Sequence, residues 1–531
     1  MPMNKAGSGE SAGRFARYWV LLGAVIVQLI LGTVYGYSIF WEPLTARVFP
    51  PVITEARATE MRTAGEAVES MLVVADDASV KRELALQQGY LKYAFSVCIL
   101  SFAIVMVIAG RIQDLRGPRL PAIAGGVLMG CGFVAAGLMQ SPLVFYLAHA
   151  VFTGLVVLVL LMLFHAWFSH LKPEDHVKVQ YAPYAIMTVV VVASILIGME
   201  YAGRLGAFDK LMLLWSTIGF MAGAGIGFAY VCPIAALVKW FPEHKGLVSG
   251  IAVAGFGFGA YLFSQKFGAL GFIRSHGITN FFVVHGVVCL VAVTIGAMFL
   301  RNPPAARSAA GARPAPDSTW QQTLKRPAFY VLWMMFFSGA MAGLMVIGII
   351  KVFAGEQLIG AASVLDASRS STAAEMMARG AAAVGWLAIF NAVGRVVWGF
   401  VSDRIGRTPT FVVMFIFQAA TMVFLGRMNT ELSLAIAASI VGFNFGGNFA
   451  LFPSATADLF GARNLGANYG WVFTSYGIAG VAGIAAGNTA KVLTGSYSAA
   501  FMLAAILCIV SAGLAIALRF LPNRTPAPSP G

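Results

Sequence analysis

Runs of about 20 apolar residues recur from one end of this chain to the other. In hydrocarbon, backbone N–H and C=O groups have no water to bond, so only helices and closed barrels span a bilayer. Each run is long enough to cross a ~30 Å hydrocarbon core as a helix. The alternating segments of roughly ten residues that mark barrel strands are absent. Only 11% of the 531 residues are charged and 59% are hydrophobic, whereas soluble chains carry about 25% charged residues. A polytopic helical membrane protein follows.

Spans are predicted near 18–40, 91–111, 119–140, 144–167, 184–202, 211–239, 246–265, 279–300, 328–352, 381–401, 409–427, 432–455, 466–488 and 498–520, fourteen in all. The polar residues Met1 to Arg17 precede a first run that is too long for a signal-peptide core, so it is read as a permanent span. The net charge of +14 does not indicate nucleic acid, because Lys and Arg sit in short loops between spans. Segment 41–89 has a net charge of −3 and suits the outside; segment 301–326 has a net charge of +4 and suits the cytoplasm. Both termini then face the cytoplasm of a cell inner (plasma) membrane.

The organisation predicted is a cytoplasmic N-terminus (1–17), a first membrane half (18–300), a cytoplasmic linker (301–326), a second half (327–522) and a cytoplasmic tail (523–531). Asn302 to Ser318 is rich in Pro and Ala and reads as a flexible connection. Loop 41–89 has the composition of short surface helices, serving either as a lid or as solvated decoration. Cys98, Cys131, Cys232, Cys289 and Cys508 all fall in apolar runs and read as small buried hydrophobes.

Two internal repeats organise the chain. Gly110-Arg-Ile-Gln-Asp114-Leu-Arg-Gly117-Pro-Arg119 returns as Gly399-Phe-Val-Ser-Asp403-Arg-Ile-Gly406-Arg407, at an offset of 289 residues. Pro233, Gly246 and Gly250 return as Pro453, Gly466 and Gly470, at an offset of 220. The first half therefore holds about 69 extra residues, enough for two spans, and 144–202 is the natural inserted hairpin. An even insertion keeps both Gly-Asp-Gly-Arg loops on one side. The expected fold is all-α: two six-helix halves in the same direction, related by an axis along the membrane normal, with a two-helix insertion in the first. Twin loops between spans, at equivalent places, are a signature of the major facilitator fold. Their glycines allow close approach and their Asp and Arg allow charge-assisted bonds across an interface. Gly110, Asp114, Gly117, Arg119, Gly399, Asp403, Gly406 and Arg407 are thus candidates for a conformational latch.

Arg395 stands in the otherwise apolar run Phe390-Asn391-Ala-Val-Gly394-Arg395-Val-Val-Trp398. An Arg in a span is costly and needs an internal reason: anion binding or coupling on one reading, a structural pair on the other. At ~1.5 Å per residue, it lies about 12 Å inside Asp403. Glu200 can snorkel to water from a span end, and His149 and His285 can relay protons or simply pack. Asn444 and Asn448 either line a pocket or join helices. Gly255-Phe-Gly-Phe-Gly259 follows no strand and reads as helix packing rather than a phosphate loop, as do Gly126 and Gly130. No metal cluster, nucleophile constellation or nucleotide motif is present, so neither an enzyme nor a cofactor is expected.

Several stretches resemble the oxalate:formate antiporter family of major facilitators. These are Gly32-Thr-Val-Tyr35-Gly-Tyr-Ser38, Lys239-Trp240-Phe241-Pro242-Glu-His-Lys-Gly246, Gly250 to Gly257, Phe390 to Arg407, Gly446-Gly447-Asn-Phe-Ala-Leu-Phe-Pro453 and Asn468-Tyr469-Gly470. The resemblance spans both halves but not loop 41–89 or the hairpin. It implies a carboxylate held by an Arg and a Lys within aromatic walls. Arg395 matches the Arg; Tyr476 stands where the Lys would be. Tyr35, Tyr230, Phe445 and Phe449 match aromatic positions. One cation and one hydroxyl suit a single carboxylate better than two, since an unpaired charge in a dry cavity is costly. The expectation is a monomeric secondary transporter of a small organic anion (lactate, pyruvate or formate class), coupled to a counter-anion or to protons. Oxalate/formate exchange, drug export and a non-transporting sensor are the rival readings.

Overall fold

The computed structural model describes residues 6–139, 207–265, 268–304, 317–365, 373–380 and 382–521, with isolated positions between 140 and 206. Among them are twelve helices long and apolar enough to cross a membrane. The predicted hairpin at 144–202, with His149 and Glu200, lies outside the described residues, as does the tail from 522.

The first half contains α1 (Ala6–Leu31), α2 (Asp77–Arg116), α3 (Arg119–Gly137), α4 (Ala222–Trp240), α5 (Lys245–Ser264) and α6 (Ala269–Phe299). The second contains α7 (Pro327–Leu365), α8 (Ala382–Ile405), α9 (Arg407–Leu425), α10 (Glu431–Phe460), α11 (Leu465–Thr494) and α12 (Ser498–Ala517). A 3₁₀ segment, Gly32–Phe40, continues α1, and a π-helical turn, Trp215–Met221, leads into α4. Within the first half α1 packs on α5, α2 on α4 and α3 on α6; in the second, α7 packs on α11, α8 on α10 and α9 on α12. The pairings are the same six positions along, as a parallel repeat requires. The halves meet mainly along two crossings, α2 on α11 and α5 on α8.

Lipid does not drive helices together as water does, so close approach through small residues holds such a bundle. A Cβ at Gly125 would lie 2.4 Å from the Gly225 carbonyl oxygen, and one at Gly130 2.7 Å from that of Gly286. Gly255 and Gly259 abut α1, as the helix-packing reading of that run expects.

Some boundaries and details differ from the sequence reading. Asp76 caps α2 by accepting from Ser79 N–H at 2.7 Å. The helix therefore starts 14 residues before the predicted span, because hydropathy sees only its membrane-buried part. Segment 41–76 is not purely helical. Beside helices Trp41–Val48 and Glu55–Thr63 it holds two parallel strands, β1 (Val52–Thr54) and β2 (Leu72–Val74). Ser318, assigned to a flexible connection, is buried and donates its N–H to the Phe460 carbonyl at 2.9 Å. Cys131 is exposed on α3, unlike the other four cysteines; an apolar residue on a membrane helix need not face inward.

Gly125→Leu forces α3 off α4, and overpacking of this kind costs about 1–3 kcal/mol. We expect a lower melting temperature for the detergent-purified variant than for the wild type, with Gly125→Ala intermediate, by differential scanning fluorimetry.

Candidate functional site

The two repeats found at different offsets meet in space. Asp114, at the end of α2, accepts from the Gly466 and Ala467 N–H groups at 3.1 and 2.7 Å. Asp403, at the end of α8, accepts from the Gly246 and Leu247 N–H groups at 2.9 and 2.8 Å. The donor pairs are the second and third residues of α11 and α5. Each carboxylate thus acts as the N-cap of a helix in the opposite half, satisfying N–H groups that have no partner within the helix. The helix dipole adds to the attraction. Glycine makes this possible: a Cβ at Gly110 would stand 2.0 Å from the Gly466 oxygen, and one at Gly399 2.3 Å from the Gly246 oxygen. Gly117 and Gly406, at φ +84° and +91°, turn the chain three residues after each Asp.

The clasps are unequal. Arg407 donates to Asp403 and, through Nε, to Asp458, both at 2.8 Å, and Lys245 reaches Asp458 at 2.7 Å. Arg119, the expected counterpart of Arg407, instead donates to the Leu300 carbonyl at 2.8 Å. Proline at position 118 places that Arg one residue later in the turn. The nearest cation to Asp114 is Lys239, 3.8 Å away. The Asp–Arg bonding expected across the interface is in fact within one half; the interface itself is crossed by carboxylate to backbone and by the Lys245–Asp458 ion pair.

Further inside the same crossings lies Arg395, fully buried on α8. Its Nε donates to Asn391 Oδ1 at 2.9 Å, one turn back on the same helix. Its Nη1 donates to the Val253 carbonyl of α5 at 2.8 Å. Both partners are neutral, and Nη2 is buried and makes no hydrogen bond of normal geometry among the described residues. The guanidinium lies 4.4 Å from the Phe449 ring centre and 5.5 Å from that of Phe256, where ring faces attract a cation. Close packing sets this position: a Cβ at Gly446 would fall 2.1 Å from the Asn391 carbonyl oxygen, so α10 can lie tight against α8.

Aromatic residues from both halves close around it. Tyr35, on the 3₁₀ segment, shares a 2.7 Å hydroxyl–hydroxyl bond with Tyr476 of α11. Tyr230 packs against Phe102, Phe256 and Phe473. Tyr476 packs against Phe449 and Phe473. Of the predicted residues, Arg395, Tyr35, Tyr230, Tyr476 and Phe449 therefore come together. Phe445 contacts Phe449 but turns toward Gly343 of α7, one turn away from the cation. Asn448 abuts Gly339 of α7, and His285 sits among first-half residues Phe133, Phe263 and Phe281.

The structure adds Asn391, Phe102, Phe256, Tyr469 and Phe473. The spacing of 469, 473 and 476 marks a single helix face, and Asn391 lies four residues before the Arg, so both were detectable in principle. Phe102 carries no such signal.

Two matching halves about a polar site at mid-bundle define a secondary transporter. The family model for the Major Facilitator Superfamily matches residues 182–388 and 352–531, and the chain belongs to that superfamily. It is 25% identical over 468 residues to the uncharacterized MFS-type transporter YhjX of Escherichia coli (strain K12), covering 88% of this chain and 86% of that one. It is 28% identical over 331 residues to the oxalate:formate antiporter of Oxalobacter formigenes, covering 61% and 72%. With apicoplast pyruvate carrier 1 of Toxoplasma gondii it shares 26% over 321 residues, 50% and 57% of the two chains. It is a multi-pass membrane transporter of the Major Facilitator Superfamily.

Removing a charged acceptor from two helix N–H groups costs about 1.5–3 kcal/mol, a ten- to hundredfold shift in a two-state equilibrium. Spin labels at Glu243 and Arg404, one on each half, should report a larger population of long distances in Asp403→Asn. Asp114→Asn should give the same change more weakly, since Asp403 also holds Arg407.

Proposed function

We propose that this transporter carries short monocarboxylates, of the lactate, pyruvate or formate class, by alternating access. The observation that carries the reading is Arg395: a fully buried cation whose hydrogen-bond partners are neutral and whose Nη2 makes no hydrogen bond of normal geometry among the described residues. A buried charge of this kind is costly without a counter-charge. A substrate carboxylate supplies one, together with an acceptor for the Nη2 N–H group. Tyr476 and Tyr35 add hydroxyl groups beside it, and Phe449, Phe256 and Tyr230 form walls that keep water from competing. With Tyr476 in place of a second cation, one carboxylate is matched and two are not. The names of the relatives, a pyruvate carrier and an oxalate:formate antiporter, agree with a small carboxylate as substrate.

In this scheme the clasps of Asp114 and Asp403 close the cytoplasmic side and release as the halves rock. Gly110, Gly117, Gly399, Gly406 and Arg407 shape those clasps. The complete chain has fourteen spans, with 144–202 as the inserted hairpin and both termini in the cytoplasm. It works as a monomer in the plasma membrane, exchanging its substrate for another anion or moving it with a proton.

Uptake of radiolabelled lactate, pyruvate, formate and oxalate into proteoliposomes, with and without an imposed proton gradient, tests the reading. Saturable monocarboxylate uptake is expected. Arg395→Ala should weaken it about 10- to 150-fold, the worth of a charge-assisted hydrogen bond. Oxalate exchange without monocarboxylate flux would instead favour the dicarboxylate reading, and flux only of hydrophobic cations would favour drug export. Binding without flux would favour a sensor.

A second variant isolates the charge. Asn391→Asp places a carboxylate where the neutral oxygen now holds Arg395 Nε. It should abolish lactate-dependent thermal stabilisation at neutral pH while leaving the melting temperature of the unliganded protein at or above the wild-type value.

A further inference from the structure

Two hydroxyl groups in the aromatic ring are not used by the carboxylate scheme. Tyr230 and Tyr469 are each about 99–100% buried, and neither hydroxyl makes a hydrogen bond of normal geometry among the described residues. Their surroundings are apolar: Phe102, Phe256 and Phe473 around Tyr230, and Phe336 and Phe473 around Tyr469. The two hydroxyls face each other, as each other's nearest polar neighbour rather than as a well-formed pair, and both lie near the Arg395 charge. They come from opposite halves, Tyr230 from α4 and Tyr469 from α11. Phenylalanine would fill either position without leaving a buried polar group unpaired, so each hydroxyl carries a cost that a ligand oxygen would offset.

We propose that Tyr230 and Tyr469 bind a second oxygen atom of the substrate, on the carbon next to the carboxylate held by Arg395. This rests on the monocarboxylate reading and narrows it. The preferred substrates are short 2-oxo and 2-hydroxy acids; plain alkanoates are poor ones, and formate, which has no second carbon, is poorer still. The discrimination is asymmetric. A site built to hydrogen-bond a substrate oxygen rejects the analogue that lacks it, because its own polar groups then stay unpaired. The two tyrosines also tie substrate choice to closure: the second oxygen is gripped only when both halves present their hydroxyls.

The test compares lactate, pyruvate and propionate, which are alike in size, as competitors of labelled lactate uptake in proteoliposomes. The wild type should bind lactate and pyruvate at least about tenfold more tightly than propionate. In Tyr230→Phe and Tyr469→Phe, and most in the double variant, the lactate-to-propionate ratio of affinities should fall toward one. Equal wild-type affinity for lactate and propionate would overturn the proposal while leaving the monocarboxylate reading intact. So would variants that lose lactate and propionate in equal proportion, since that is the signature of a merely structural role. Absence of any Arg395-dependent lactate or pyruvate uptake in the wild type, with oxalate still carried, would overturn the monocarboxylate reading itself. Lactate-independent thermal stability of the Phe variants separates these results from misfolding.

Discussion

A carboxylate of one half capping a helix of the other is the interaction on which this architecture turns. Six-helix halves built mostly of Leu, Val, Ala and Gly have no solvophobic reason to choose one mutual arrangement in lipid. Asp114 and Asp403 give them one, by supplying acceptors to N–H groups that a helix cannot satisfy itself. The contact is reciprocal, so closing one half on the other makes both clasps together. Under the proposed alternating access it would also be reversible at modest cost. When the halves part, water at the bundle's end can take over both the carboxylates and the N–H groups, which a purely apolar seam or a deeply buried ion pair would not permit.

Arg395 sits at the other energetic extreme. It is fully buried, and neutral oxygens satisfy only part of its fork among the described residues. The choice of Asn391 rather than an acid one turn away leaves the positive charge uncompensated by its own helix. Ring faces soften the cost without cancelling the charge, because cation–π attraction in a dry site is worth only a few kcal/mol. The walls are apolar and the charge is singular, which is the electrostatic complement of a small anion and a poor match for a bulky cation.

Much of this was legible in the chain. Twelve of the fourteen predicted spans correspond to described helices, because an apolar run of sufficient length is a direct physical demand of the bilayer. Arg395, Asp114 and Asp403 stood out because charge in an apolar run is costly and because two copies of a loop are hard to explain by chance. What escaped was partnership. Asp114 and Gly466 belonged to repeats with different offsets, and nothing in one dimension says that the first repeat caps the second. The pairing of Arg119 with Asp114 failed for a local reason, the extra proline before it, which moves the guanidinium to the Leu300 carbonyl. Phe102, Phe256 and Phe473 were hidden among 40 phenylalanines; an aromatic becomes a wall only when the helix crossing turns it inward. Start sites of helices outside the membrane, such as Asp77, depend on a capping side chain that hydropathy does not register.

Clasp and site are not independent, because they share the same two crossings. On α5, Gly246 takes the Asp403 clasp, Gly250 meets the backbone of Arg395, and Val253 accepts from the Arg395 side chain. From 246 to 253 is about 10 Å along a helix, so the contacts of α5 with Asp403 and with Arg395 lie on one rigid rod. On α2 and α11 the order repeats: Asp114 clasps Gly466, then Gly470 abuts Met106 and Val107, then Phe102 packs against Phe473 and Tyr476. A ligand that draws Arg395 Nη1 away from the Val253 carbonyl loosens a bond between α5 and α8 directly inside the clasp those helices form. Conversely, breaking either clasp frees one wall of the ring around Arg395. Coupling of this sort needs no long pathway, since the element with two positions is the helix crossing itself and both ligand and clasp bias it.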